Sequence, residues 1–415
     1  MATDMVQLHD ALDRASAGTS AMASLLGGSH RYLVFAANNA EMRAGSGMFL
    51  SVGELTVGSD GFQLGPMQTV TTIPVPVGAV PLDGDLAARW GWLAPNVEWR
   101  NLMLSPRFDI SAPLAAQMWV ALGHQPVDGV MALDSIALQN LLVATGPVTA
   151  SGRRIDESTV VDELLHGQYL RFDTQLVDQN NQRREELGAI AAAAFDSLSQ
   201  GRWSRPALGD GLARAARGRH IMMWSRDPIE QAGWHALAVD GSLSPNSLMV
   251  SILNRGGNKL DYFLYATSDV TFAAHGRDTE VTVKISLDNR VPAAEPVEVA
   301  GPDSRTGSAA GVYVGLLSLT MPGGATDGHF DGVNELAVAG HDGPTEVMAF
   351  PFQVDPGQQR TIVAHFLVPG RSGSLHVEPS ARVLGIAWTA SNGLRWSDGT
   401  AQTVTWSLPR QGSQR

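Results

Sequence analysis

Residues 32–36 and 48–57 are two mostly apolar runs, and between them lies a polar cluster containing Asn38, Asn39, Glu41 and Arg43. The runs predict buried strands, with Gly45, Ser46 and Gly47 supplying the sharp connection. Upstream, Leu8, Leu12, Met22, Leu25 and Leu26 predict an amphipathic helix over residues 6–26, interrupted at Gly18-Thr19-Ser20. Downstream come a Val/Pro-rich loop (69–85), a helix (111–123) and a strand (127–133). Helices over 156–165 and 178–199 follow, then short apolar strands at 220–224, 248–253 and 262–265. Strands alternating with helices predict an α/β domain, a mixed sheet flanked by helices.

From Asp269 the period changes to two. Val281, Val283, Ile285 and Leu287 alternate with polar residues, as do Ile362, Ala364, Phe366 and Val368, with Gly, Pro and Asp turns between runs. The pattern predicts a C-terminal immunoglobulin-like β-sandwich of roughly seven strands. The expected organisation is a helical segment over 1–29, an α/β domain over 30–267, a sandwich over 268–410 and a tail over 411–415.

A chain of 415 residues exceeds the usual single domain, and 44% apolar with 17% charged residues describes a folded protein. The net charge of −12 excludes nonspecific nucleic-acid binding but remains compatible with a local arginine pocket. With no cysteine, disulfides, thiolate nucleophiles and cysteine-held metals are excluded. No window approaches the ~18 apolar residues of a membrane span, and residues 1–30 lack the apolar core of a signal peptide. The eleven histidines are scattered without an i, i+4 pair for zinc, and nucleophile-elbow, Walker and dinucleotide motifs are missing. Asp83-Gly84-Asp85 and residues 327–332 read as turns more than as cation loops.

The Asn-Asn-Ala-Glu-Met-Arg cluster at a strand end concentrates a carboxylate, a guanidinium and two amides, although Glu41 with Arg43 also suits a local ion pair. Followed by residues 127–134 (Val-Asp-Gly-Val-Met-Ala-Leu-Asp) and 144–148 (Ala-Thr-Gly-Pro-Val), it resembles the bacterial domain-of-unknown-function family four-zero-one-two, over about residues 25–369. In motif order that family is distantly similar to the LytR-CpsA-Psr (LCP) phosphotransferases, which attach polyprenyl-pyrophosphate-linked glycans to bacterial cell walls. The resemblance implies an LCP-like α/β domain outside the cytoplasm, in the cell envelope, tethered to the membrane if an anchor lies upstream.

By the same resemblance, Tyr169-Leu170-Arg171 and the helix start with Asp178, Gln182 and Arg183 line a pyrophosphate pocket, joined by Arg100. Glu41, Arg43 and Asp178 are the implied catalytic residues, with Glu41 or Asp178 orienting Mg²⁺. Arginines clamp phosphate oxygens in pairs, and carboxylates holding Mg²⁺ neutralise the leaving pyrophosphate. The helix reading without the family is a solvated face of Arg183, Arg184, Glu185 and Glu186. One departure stands out: where the phosphotransferases carry Ser-Ile-Pro-Arg-Asp, this chain has Thr72-Ile73-Pro74-Val75-Pro76, without the arginine and the aspartate. Lys259, in the loop of residues 254–261, is a further phosphate candidate, and Asp128 and Asp134 are acids at the two ends of a strand.

The expected function is therefore binding or transfer of a lipid-linked or phosphorylated envelope glycan. One alternative is a non-catalytic module that binds glycan or protein. Another is a glycoside hydrolase using Glu41 with Asp128, which requires carboxyls roughly 5 to 10 Å apart.

Overall fold

The computed structural model describes residues 2–58, 61–201 and 203–409, with the side chains of 2–8, 10 and 11 left aside; the expected tail at 411–415 and Leu8 lie outside what is described. The protein is mixed α/β, with helix-flanked sheets followed by many C-terminal strands. It divides into two compact units, each assembled from separate stretches of chain. Met1–Asn38, Gly45–Leu82 and Leu93–Ser242 make the first; Asn39–Ala44, Asp83–Trp92 and Leu243–Arg415 make the second.

The first unit is built on a six-stranded mixed sheet. Strand His30–Met42 lies between Gly47–Gly58 and Gly129–Leu133, pairing in parallel with the latter, which pairs antiparallel with Ile221–Ser225. Alternation along the central strand covers both faces of the sheet. Tyr32 and Val34 pack with Ala21 and Leu25 of helix Ala2–Gly27 and with Trp234 of helix Pro228–Ala236. Phe35, on the other face, stacks on Phe49 at 4.5 Å and meets Trp99.

Helix Ala2–Gly27 runs without the expected interruption. Gly18 is where Leu237 seats, since a Cβ there would come within 2.9 Å of its side-chain carbons, and Thr19 Oγ1 donates back to Ala15 O. The two helices approach closely because Gly233 has no side chain: a Cβ would sit 2.7 Å from Ala17 O. Of the expected packing residues, Leu25 is buried, whereas Leu12, Met22 and Leu26 are exposed.

The strand expected at 32–36 extends further, so that the polar cluster forms its end. Strand His30–Met42 runs through it for 13 residues, and the turn follows at residues 43–46. Helices Arg205–Arg217 and Pro228–Ala236 were not expected; Ser204 and Asp227 cap them, each with a proline in the first turn.

In the second unit two six-stranded sheets share one hydrophobic core, more than the seven or so strands expected. One runs Thr326–Phe330, Gln359–Val368, Asp278–Asn289, Leu264–His275, Ala387–Ala390, Arg395–Ser397; the other runs Val338–Asp342, Thr345–Val354, Tyr313–Pro322, Ser247–Asn254, Ser372–Val377, Gln402–Ser407. The boundary expected at 267/268 falls instead at 242/243, because Ser247–Asn254 pairs antiparallel with Tyr313–Pro322 and parallel with Ser372–Val377. Residues 262–265 are not a separate strand: the 3-10 turn Leu260–Tyr262 leads into Leu264–His275.

Candidate functional site

The segment Asn39–Ala44 is fastened inside the second unit by a buried polar network. Lys259 Nζ donates to Glu41 Oε2 at 2.9 Å, and Arg43 Nη1 donates to the backbone oxygens of Met42 and Asn254. Asn39 Nδ2 donates to Ala381 O, and Met42 N to Asp261 Oδ2. Asp261 is the hub: it also accepts from Asn254 Nδ2, from the Tyr313 hydroxyl at 3.0 Å and from Arg382 Nη1 at 2.6 Å. Burial and the adjacent Asp261 carboxylate push the Tyr313 phenol well above its ordinary range. Carboxylates here meet guanidinium, ammonium, amide and phenol donors, an arrangement that holds backbone in place.

A different arrangement occupies the first unit, where a π-helical turn, Glu163–Gly167, links helices Val160–Asp162 and Gln168–Arg171. Such a turn widens the helix and re-aims its side chains. Glu163 receives both guanidinium groups of its neighbours: Arg153 at 2.8 and 2.7 Å, and Arg171 through both Nη atoms. Glu186 stands 3.4 Å from Arg171 and 3.8 Å from Arg153. Burial alone would raise the Glu163 carboxyl, but the hydrogen bonds and charges of the two arginines outweigh it and hold it at about 2.

Arg183 lies one helix away and is held differently. Its Nη1 donates to Gln168 Oε1 at 2.8 Å, its Nε and Nη2 donate to Asn180 Oδ1, and its guanidinium stands 5.1 Å from the Tyr169 ring centre. Neutral acceptors orient this cation, and no carboxylate pairs with it among the described residues. The same stretch carries Leu170, Leu176 and Val177, which are 60%, 50% and 72% exposed.

Residues 27–169 match the family described as protein of unknown function (DUF4012). No curated protein matches the chain. The DUF4012 match covers both strands beside the polar cluster and extends through Glu163, Gln168 and Tyr169, ending before Arg171 and Arg183.

Of the expected site residues, Arg171 and Arg183 lie in neighbouring segments, linked through the run from Gln168 to Arg171. Gln182 and Asp178 are exposed on helix Val177–Ser199, Asp178 in its first turn. Arg100 pairs with Glu98 two residues earlier. Glu41, Arg43 and Lys259 belong to the second unit, with the partners given above. Asp128 Oδ2 accepts from Arg31 N, while Asp134 caps helix Ser135–Thr145 and meets His220 Nδ1 at 2.7 Å. The DUF4012 stretch also contains the Thr72–Pro76 departure, where Trp99 Nε1 donates to Ile73 O and Val75 is buried. Asp83-Gly84 opens helix Gly84–Trp90, and Asp85 Oδ2 accepts from Gly343 N.

Sequence reasoning missed Arg153, Glu163 and Gln168. The first opens the second strand of a hairpin, 18 residues before Arg171, and nothing local marks a carboxylate that takes two arginines. The only signal was the presence of Arg153 and Arg171 on either side of Glu163 in sequence, the two arginines that the carboxylate takes.

Proposed function

We propose that the first unit binds the phosphate or pyrophosphate end of an amphiphilic, lipid-linked envelope glycan at Arg183 and the neighbouring Arg171. The observation carrying this reading is the Arg183 guanidinium, oriented by Gln168 and Asn180 and paired with no carboxylate among the described residues. A cation already held in place loses little freedom on meeting an oxyanion, and guanidinium matches phosphate oxygens in pairs. Exposed Leu170, Leu176 and Val177 offer apolar surface on the same segments for a polyprenyl chain. The motif order around Tyr169, Arg171 and Arg183 supports an LCP-like reading of the unit, and the envelope, outside the cytoplasm, is where such a ligand resides.

The reading is binding and not transfer. The Thr72–Pro76 segment lacks the arginine and aspartate of the phosphotransferase motif. Neither expected Mg²⁺ ligand fits: Glu41 accepts from an ammonium, and Asp178 is a single exposed carboxylate. No step here passes through a metal. Hydrolysis by Glu41 with Asp128 has no support, since one carboxylate holds Lys259 and the other a backbone N–H. In this reading the second unit, immunoglobulin-like in packing two sheets on one core, acts as a spacer or partner-binding module.

Calorimetry with farnesyl pyrophosphate, with inorganic pyrophosphate as the comparison, tests the site. Arg183→Ala should weaken farnesyl pyrophosphate binding at least ~10-fold, as loss of a charge-assisted contact does, and Arg43→Ala should leave the affinity of still-folded protein unchanged. Equal affinities for Arg183→Ala and the unmodified protein would sink the proposal, and mass spectrometry of the mixture would reveal any cleavage.

A further inference from the structure

Strand Thr326–Phe330 is the short edge of one sheet of the second unit, and an irregularity between Thr326 and His329 shifts its register against Gln359–Val368. Asp327, at φ +54°, carries the turn that makes the shift. A bulge of this kind adds a residue and re-aims the side chain that follows it. Here it brings His329 directly opposite His365, with ring centres 5.1 Å apart and planes 16° from parallel. Phe330 turns into the core, so His329 and Asp331 share the outward face, with His365 from the next strand. Asp331 is fixed from behind by its own N–H, which donates to Val363 O.

We propose that His329, Asp331 and His365 form a binding site for one divalent transition-metal ion, Zn²⁺ by the chemistry of the donors. One ligand atom from each residue lies within 4.8 Å of the others. Two imidazoles and a carboxylate, with water as a fourth ligand, are a Zn²⁺ donor set; tetrahedral bonds of ~2.0–2.1 Å require the three atoms to close by up to about 1.5 Å.

Tautomers decide the argument. His329 Nδ1 stands 2.9 Å from Asp327 O, and a carbonyl oxygen only accepts, so the ring proton sits on Nδ1 and the Nε2 lone pair is left outward. His365 Nδ1 faces Glu280 Oε1 at 3.3 Å and the Thr282 hydroxyl at 3.2 Å, while its Nε2 faces Asp331 Oδ1 at 3.5 Å. His329 thus keeps Nε2 for a ligand, while His365 has a carboxylate beside each ring nitrogen, its Nε2 facing the Asp331 oxygen that would share the ion. An acceptor at Nδ1 is the outer-shell arrangement that orients zinc-binding histidines and raises their basicity. The ion would staple an edge strand whose ladder is broken by the bulge, and it would cover part of an open sheet edge.

The test uses the full chain, stripped with chelator and titrated with ZnCl₂ by calorimetry, and in parallel with CoCl₂ by visible spectroscopy. One equivalent of Zn²⁺ should bind, with the strong visible bands of low-coordinate Co²⁺ and a raised melting temperature. His329→Ala and His365→Ala should each weaken binding at least ~10-fold, and Glu280→Gln should weaken it less. His376→Ala, on a different sheet, is the control and should bind as the unmodified protein does. Should neither His329→Ala nor His365→Ala change affinity or stoichiometry while circular dichroism shows the fold intact, the site is wrong. Absence of any Zn²⁺ binding by the unmodified chain overturns it equally.

Discussion

Lys259 reaches Glu41 across 218 residues of sequence, and the two form a buried ion pair with side chains 11% and 9% exposed. Removing one member leaves the other charge desolvated beside a shortened partner. Lys259→Met should therefore destabilise the second unit by about 3–5 kcal/mol, whereas the apolar double replacement Glu41→Leu with Lys259→Met should recover much of that loss. Urea unfolding followed by tryptophan fluorescence measures both, and similar midpoints for the single variant and the unmodified chain would count against the pairing.

Asp261 serves four donors at once, so its loss is a different kind of injury. Asp261→Ala would strand the Arg382 guanidinium, the Tyr313 hydroxyl and the Met42 N–H. The expected cost is on the order of 3–5 kcal/mol, against about 1–2 for Tyr313→Phe, which removes a single hydrogen bond. A ranking in which Tyr313→Phe is the worse of the two would contradict the hub.

The depressed Glu163 carboxyl carries a pH signature. Its folded value of about 2 lies below its ordinary value of 4.5, so its contribution to stability is fully present above pH 4.5 and is lost as pH falls towards 2. The contribution is on the order of 1–3 kcal/mol once the part-exposed arginines are allowed for. Glu163→Gln should lower stability at neutral pH and flatten its dependence between pH 4.5 and 2. Parallel curves for variant and unmodified protein in acid unfolding would exclude the assignment.

At the crossing of helices Ala2–Gly27 and Pro228–Ala236, Gly233 admits no side chain. Gly233→Leu should push the N-terminal helix off the sheet and expose it to protease, while Gly209→Ala, where a Cβ meets nothing within 4 Å, should not. Limited proteolysis with mass spectrometry distinguishes the two.

The alternating runs at 281–287 and 362–368 announced a sheet in the second unit because one face is buried and the other wet. Strand Ser247–Asn254 gave no such sign: all eight of its residues are buried, so its pattern is that of a strand inside an α/β domain, and the boundary was placed too late. Helix starts at Ser204 and Asp227 were readable from a capping residue followed closely by proline. The arginines at 171 and 183 were readable as candidates, but what sets them apart was not: Arg171 shares Glu163 with Arg153, while Arg183 rests on Gln168 and Asn180. The Asn39–Arg43 cluster looked like a site because it is polar between apolar runs, yet Asn39, Glu41 and Arg43 each reach a partner more than 200 residues away, a relation that local spacing cannot encode.

That distance also sets an order of events during synthesis. A ribosome adding roughly 5–20 residues per second delivers Glu41 some 10–40 seconds before Lys259 emerges, and Arg382 later still. For that interval the charged strand end has none of its eventual contacts in the second unit, while the apolar half of the same strand is already available for pairing. A chain severed between Ser242 and Leu243 would make the interval permanent, since Asn39–Ala44 and Asp83–Trp92 would remain on the fragment that cannot use them. Expression of either half alone should thus yield aggregation-prone protein, and an isolated second unit would need Asn39–Ala44 and Asp83–Trp92 joined by linkers to Leu243–Arg415.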